Sequence, residues 1–256
     1  MISNCPQYLP IIFTLLLTLS IITSFLIAVS KSDVTPWFPT ISDTATKSPE
    51  SNIFSELVNI ATFLGVIVIY MRYLQVKRDV EWVEGSRKIF VANRICVVLG
   101  FIAICGSSLV ANFPETQVTT VHLIGAFLLF CSGNIYAWIQ VWISFKMKEI
   151  GLVGSHICFI RLVLSVISTL SFLAMLVLMK FAYKDHNKGI VLRWHSDESG
   201  FKEHIAADAM EWVMVGSFLL VFLTFTKELE NSRLQVRLVR SEDRYESLTN
   251  QTENNV

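Results

Sequence analysis

Glu56, Asn59, Asn112, His122, Asp208 and Glu211 are the side chains whose type and position suit proton or headgroup chemistry, because each stands near the edge of a long apolar run. An ionisable group inside hydrocarbon is expensive unless it is paired, lies near the interface or lines a polar space. Glu56 and Asn59 are three residues apart, as are Asp208 and Glu211, which puts each pair on one helical face. All six fall toward the same end of their runs, so one reading is a shared polar pocket at one mouth of a helix bundle. It would hold a lipid headgroup, or sense pH as its carboxyls take up protons and His122 charges in an acidic compartment. The other reading is ordinary interfacial polarity, and the sequence alone leaves both open.

Catalytic and metal chemistry lack the residues. Of five histidines only His122 stands within an apolar run, whereas His156, His186, His195 and His204 fall in or beside connecting loops and do not converge as a zinc site needs. There is no Gly-x-Ser-x-Gly elbow, phosphate-binding glycine loop or metal-spaced cysteine pair. No catalytic residue, no metal and no cofactor is expected. The centres of the apolar runs are uncharged and uninterrupted, which also argues against a transporter.

The elements that must carry these residues are membrane helices. The chain has 256 residues, 53% hydrophobic and 16% charged, with a mean hydropathy of +0.54, so the bilayer is its main solvent. Six stretches can cross a hydrocarbon core of about 30 Å, at roughly 8–29, 53–76, 90–111, 118–145, 157–181 and 205–226. The third is the weakest, because Asn93 and Arg94 occupy its first turn and its apolar core begins at Ile95. The first has no basic residue before it and no clear cleavage site, so it reads as a retained span rather than a signal peptide.

The expected fold is an all-α, six-transmembrane helix bundle over residues 1–226, followed by a partly disordered tail, 227–256. Fourteen Lys and Arg residues lie on the side of the two termini against seven on the other, which predicts that both termini are cytoplasmic. The net charge is zero, so nothing points to nucleic acid. Membrane lipids are the expected partners. No exoplasmic loop contains cysteine, and no structural disulfide is expected.

Finer expectations follow along the chain. Ser48-Pro49-Glu50 reads as the start of the second helix, with Ser48 as cap and Pro49 in its first position. Arg94 and Arg161 stand at span starts, where long side chains snorkel to phosphates. Ala103, Ser107 and Ala111 repeat every four residues as a small face for close helix packing. In the tail, Tyr245-Glu246-Ser247-Leu248 matches the tyrosine and bulky apolar pattern through which a clathrin adaptor sorts cargo, with Tyr245 and Leu248 as its anchors.

Several motifs, in order, resemble the damage-regulated autophagy modulator (DRAM) family, within the wider Frag/DRAM/Sfk superfamily. They are Ile41-Ser42-Asp43-Thr44-Ala45-Thr46 with Pro49-Glu50-Ser51-Asn52-Ile53-Phe54; Val110-Ala111-Asn112-Phe113 with His122, Gly125-Ala126, Gly133 and Tyr136; His156-Ile157 with Arg161; and Glu211-Trp212 with Phe222-Leu223-Thr224-Phe225. Ala45, where the family commonly has Gly, and Lys47-Ser48 before the proline depart from the pattern without removing a chemical group. The resemblance implies a six-span lysosomal or endosomal membrane protein that promotes autophagy, linked to apoptosis and without known catalysis. The competing branch of the superfamily implies a plasma-membrane organiser of phosphatidylinositol 4-kinase or another lipid-handling regulator.

Overall fold

The computed structural model describes residues 2–3, 6–83, 85–184, 192–230, 232 and 234–235. The apolar runs become α1 Tyr8–Ser30, α2 Glu50–Trp82, α3 Arg87–Asn112, α4 Thr119–Glu149, α5 Ser155–Ala182 and α6 Phe201–Leu223, with a short α7 Phe225–Leu229 after it. Six helices, counting α6 and α7 as one, are long and apolar enough to cross a membrane. The third span, the weakest by sequence, is a continuous helix whose cap Ser86 accepts from the Lys88 amide at 3.3 Å.

The predicted boundaries fall short on the side of the termini. α2 continues to Trp82, α4 to Glu149, and the sixth span runs past residue 226 to Leu229. Hydropathy stops where charges begin, but helical hydrogen bonding does not. The start of α2 also differs: Pro49 stands at the cap, Glu50 is the first helical residue, and the Ser48 hydroxyl accepts from the Asn52 amide at 3.2 Å instead of capping the backbone.

Each helix packs on its neighbour in the chain, and α6 and α7 return to α1, so the helices form a ring. Ile2–Ser3 pairs antiparallel with Leu234–Gln235, which brings the two ends of the described chain together, as an even number of crossings requires. We call this the terminal end of the bundle and the opposite one, which carries the connections α1–α2, α3–α4 and α5–α6, the loop end.

Small and polar residues share the buried interior with apolar ones, as expected in lipid, where close packing and interhelical hydrogen bonds hold helices together. α5 buries Cys158, Arg161, Ser165, Ser168 and Ser171 and turns Leu170 and Leu173 outward. Ser168 donates to Asn134 Oδ1 at 2.9 Å, and Trp138 Nε1 donates to Thr169 Oγ1 at 2.9 Å, which ties α5 to α4. Between α3 and α4, Ala103 and Ala111 of the predicted small face are buried, and the two backbones approach closely at Gly106, opposite Gly125.

Candidate functional site: two polar clusters and the space between them

At the loop end, residues 41–46 fold into a buried turn, helical over Asp43–Ala45, instead of a solvated loop. The Ile41 amide donates to Glu211 Oε2 at 3.3 Å, and Trp212 Nε1 donates to the Pro39 carbonyl at 2.8 Å, so α6 holds this segment across the bundle. Thr44 meets Ser24 of α1 at 3.0 Å. Lys31 reaches the Ser48 carbonyl at 2.6 Å and the buried Glu50 at 3.2 Å, fixing the turn from its outer side.

The six predicted pocket residues are distributed over this end without forming one pocket. Asn59 and Asn112 exchange hydrogen bonds at 3.0 and 2.9 Å and share Ser108, joining α2 to α3. His122 is buried, with Nδ1 at 2.8 Å from the Phe113 carbonyl and Nε2 at 4.0 Å from Glu115. Asp208 pairs with His204 Nδ1 at 2.8 Å, one turn earlier in α6. Glu211 is held by loop one, and Glu56 is exposed on the outer face of α2.

Sequence reasoning missed Asp43, His204 and Glu115. Asp43 stands in the Ile41–Thr46 motif with no ionisable role expected for it, and His204, expected in or beside a loop, belongs to α6, which begins at Phe201. Asp43, His204 and Asp208 line a void of about 10 Å3 together with Trp194, about the room one water needs.

Burial pushes the Asp43 carboxyl up to about 7, and the negative charge of Glu115 adds to the shift. A carboxyl raised in this way binds its proton more readily folded than unfolded. Its contribution to stability is complete below the ordinary value of 3.8 and is lost as pH rises through about 7. The purified protein should therefore melt at a higher temperature on the acid side of that window than above it. Asp43→Asn should narrow this difference measurably in thermal unfolding at the two pH values. An unchanged difference would show that other groups carry it.

At the terminal end the structure reveals a second cluster. Arg72 of α2 and Arg161 of α5 are both fully buried, and Glu228 of α7 lies between them. Arg72 Nη1 is 2.9 Å from Glu228 Oε1, and Arg161 reaches both Glu228 oxygens. Arg161 also donates to Thr224 at 2.8 Å and Ser144 at 2.7 Å, while Arg72 donates to Gln140 at 3.1 Å and to Gln75. The Phe225 ring lies 5.3 Å from the Arg72 guanidinium carbon and 4.8 Å from that of Arg161.

Arg161 is thus not a snorkelling residue, as its position at a span start suggested, because its side chain points into the bundle, not to the phosphates. Arg94, assigned the same role, is exposed. A signal was present in the spacing. Arg161, Ser165 and Ser168 share one face of α5, and Arg72, Gln75 and Asp79 share one face of α2, in phase with the buried residues of each helix.

Between the clusters the ring encloses a narrow apolar space of about 120 Å3, whose lining includes Ile41, Glu211, Tyr136 and Phe222. Among the described residues no three His, Cys, Asp or Glu side chains are placed to hold a metal ion. The predicted sorting residues Tyr245 and Leu248 lie outside the described residues.

Residues 6–232 match the family profile described as the Frag1/DRAM/Sfk1/Cwh43P N-terminal domain. The chain is similar to DNA damage-regulated autophagy modulator protein 2 of Rattus norvegicus, 33% identical over 233 residues, which cover 90% of this chain and 86% of the relative. It is similar also to DNA damage-regulated autophagy modulator protein 1 of Homo sapiens, 31% identical over 229 residues, covering 90% and 93%. The modulator of macroautophagy TMEM150B of Xenopus tropicalis is 35% identical over 179 residues, covering 69% and 74%. No solved structure matches.

Proposed function

The chain belongs to the Frag1/DRAM/Sfk1/Cwh43P family, and from that premise we propose that it is a multi-pass membrane protein that regulates autophagy without catalysing a reaction. The observation that carries this reading is similarity over about nine-tenths of the chain to relatives named as autophagy modulators. Its site of action is the lysosomal or endosomal membrane, with both termini in the cytoplasm, and it links autophagy to apoptosis. The excess of Lys and Arg on the side of the termini supports that orientation. Tyr245 and Leu248 supply the address by binding a clathrin adaptor.

Raising the protein's level should increase the degradation of a lipidated autophagosome marker, read as the difference with and without a lysosomal protease inhibitor. Removing the protein should lower it. Tyr245→Ala, and equally Leu248→Ala, should move the protein from lysosomal markers to the cell surface. If the native protein already resides at the surface and its loss lowers phosphoinositides, the lipid-kinase reading replaces this one. The polar residues His122, Asp208 and Glu211 at the loop end take part in this regulation. His122→Ala and Glu211→Gln should blunt the same flux measurement while localisation stays normal, and normal flux in both would remove this part of the reading.

A further inference from the structure

Loop one is held to the bundle by contacts of two kinds. On its outer side Lys31 pairs with Glu50 at 3.2 Å and Lys47 with Asp33 at 2.7 Å, while Thr44 meets Ser24 of α1 at 3.0 Å. On its inner side, against α6, lie the Ile41 amide on Glu211, Trp212 on the Pro39 carbonyl, and the void lined by Asp43, His204 and Asp208. Asp43 is 6% exposed and Asp208 1%, yet Oδ1 of each has no hydrogen-bond partner among the described residues. Two such carboxyl oxygens on one void of about 10 Å3 supply the room and the partners that a single water needs.

The charges around the void decide how that water is held. Asp43 faces Glu115 from the α3–α4 connection, Asp208, Glu211 and His204 from α6, and Tyr183 from the end of α5. Lys31 and Lys47, the cations of loop one, are engaged with Glu50 and Asp33 on its far side. Burial, and after it the charge of Glu115, raise the Asp43 carboxyl; Asp208 adds to them and His204 opposes. Two ionised carboxylates across one water repel, whereas a pair that keeps one proton is joined by it. The segment is also strained, since Phe38 has a φ of +44°, which a bulky L residue rarely adopts, and docking must hold it there.

We propose that one water bridges Asp43 and Asp208, and that the proton they share latches loop one onto α6. Loss of that proton to solvent leaves like charges on either side of the water, and the turn at 41–46 lets go, taking Ile41 and Ser42 off the loop end of the central space. Docked Asp43 binds a proton more tightly than Asp43 released into water, so docking is strongest on the acid side and weakens as pH rises to about 7. Loop one is thus closed in an acidic compartment and released in a neutral one. The latch is read on the purified protein and stands or falls separately from the autophagy reading.

The test is hydrogen exchange of the full-length protein in detergent, followed by mass spectrometry on peptides covering residues 40–46 and normalised at each pH to the same peptides unfolded. Protection of the turn should fall about tenfold per pH unit between pH 5 and 7, the change expected when docking takes up one proton, and level off above that. Asp43→Asn, whose amide bonds the water without a titrating proton, should remove this pH dependence. Glu115→Gln keeps both aspartates and takes away a neighbouring negative charge, so the fall should end at a lower pH, a displacement that a purely structural turn would not show. Equal protection at pH 5 and 7, a fall that persists in Asp43→Asn, or one that Glu115→Gln leaves unmoved would each overturn the proposal. Should Asp43→Asn fail to fold, the native profile and its displacement by Glu115→Gln decide. A density map that shows other buried waters should show one within hydrogen-bond reach of both aspartates, and a dry void there would overturn the bridge.

Discussion

Glu228→Ala is expected to lower the melting temperature of the purified protein by roughly 10 °C. The substitution leaves two buried guanidiniums facing each other without the carboxylate between them. Removing one partner of a buried ion pair costs about 3–5 kcal/mol, and for a chain of this size each kcal/mol shifts the transition by about 2–4 °C. Glu228→Gln keeps acceptor and donor atoms in place but loses the charge, so its loss should be smaller. Replacing all three charges with apolar residues (Arg72→Met, Arg161→Met and Glu228→Leu together) should recover much of the lost stability, because the desolvation cost disappears with the attraction. Fluorescence-detected thermal unfolding in detergent separates these outcomes. A shift of under about 2 °C for Glu228→Ala would mean that Gln75, Gln140 and Ser144 satisfy the guanidiniums unaided.

Gly106→Ala is the second large effect, and its sign is the informative part. In an open helical position Ala is more favourable than Gly by about 0.5–1 kcal/mol. At Gly106 a Cβ would stand 2.5 Å from the Leu129 amide nitrogen and 2.6 Å from the Gly125 carbonyl oxygen, both backbone atoms of α4. Backbone cannot rotate aside as a side chain can, so α3 and α4 must separate, at a cost of about 1–3 kcal/mol. Gly216 of α6 supplies the control, since a Cβ there meets nothing within 4 Å. Gly216→Ala should leave the melting temperature unchanged or raised, while Gly106→Ala lowers it by several degrees in the same assay. Equal behaviour at the two sites would show that the α3–α4 crossing is looser than described.

Hydropathy made the six helices legible because a hydrocarbon solvent selects strongly on every residue of a span. It could not locate the arginine cluster, since Glu228 lies beyond the apolar window and its partners are 156 and 67 residues away in sequence. Both arginines stand near the ends of their apolar runs, where the interface is always an available partner. Only their phase with the buried small residues argues otherwise. At the loop end the depth of the polar residues was readable but their grouping was not. Asn59 and Asn112 bond to each other, Glu211 bonds to a backbone amide 170 residues earlier, and Glu56 faces outward. Depth follows from position in a span, whereas partners depend on how each helix is rotated and on a loop whose buried turn has no periodic signature.

The closure of the ring by α6 on α1 has a consequence for how the chain is made. Phe13 packs on Phe222 with ring centroids 4.6 Å apart, so a contact of α1 waits until α6 has been synthesised. Until then α1 has only one of its two lateral neighbours. Arg161 enters the membrane in the same interval, before Glu228 has been synthesised. The nascent protein therefore passes through a stage in which both buried guanidiniums, Arg72 and Arg161, are in place without the carboxylate that neutralises them. A premature stop between Thr224 and Glu228 would fix the chain there, with every apolar run in place and the assembly unfinished.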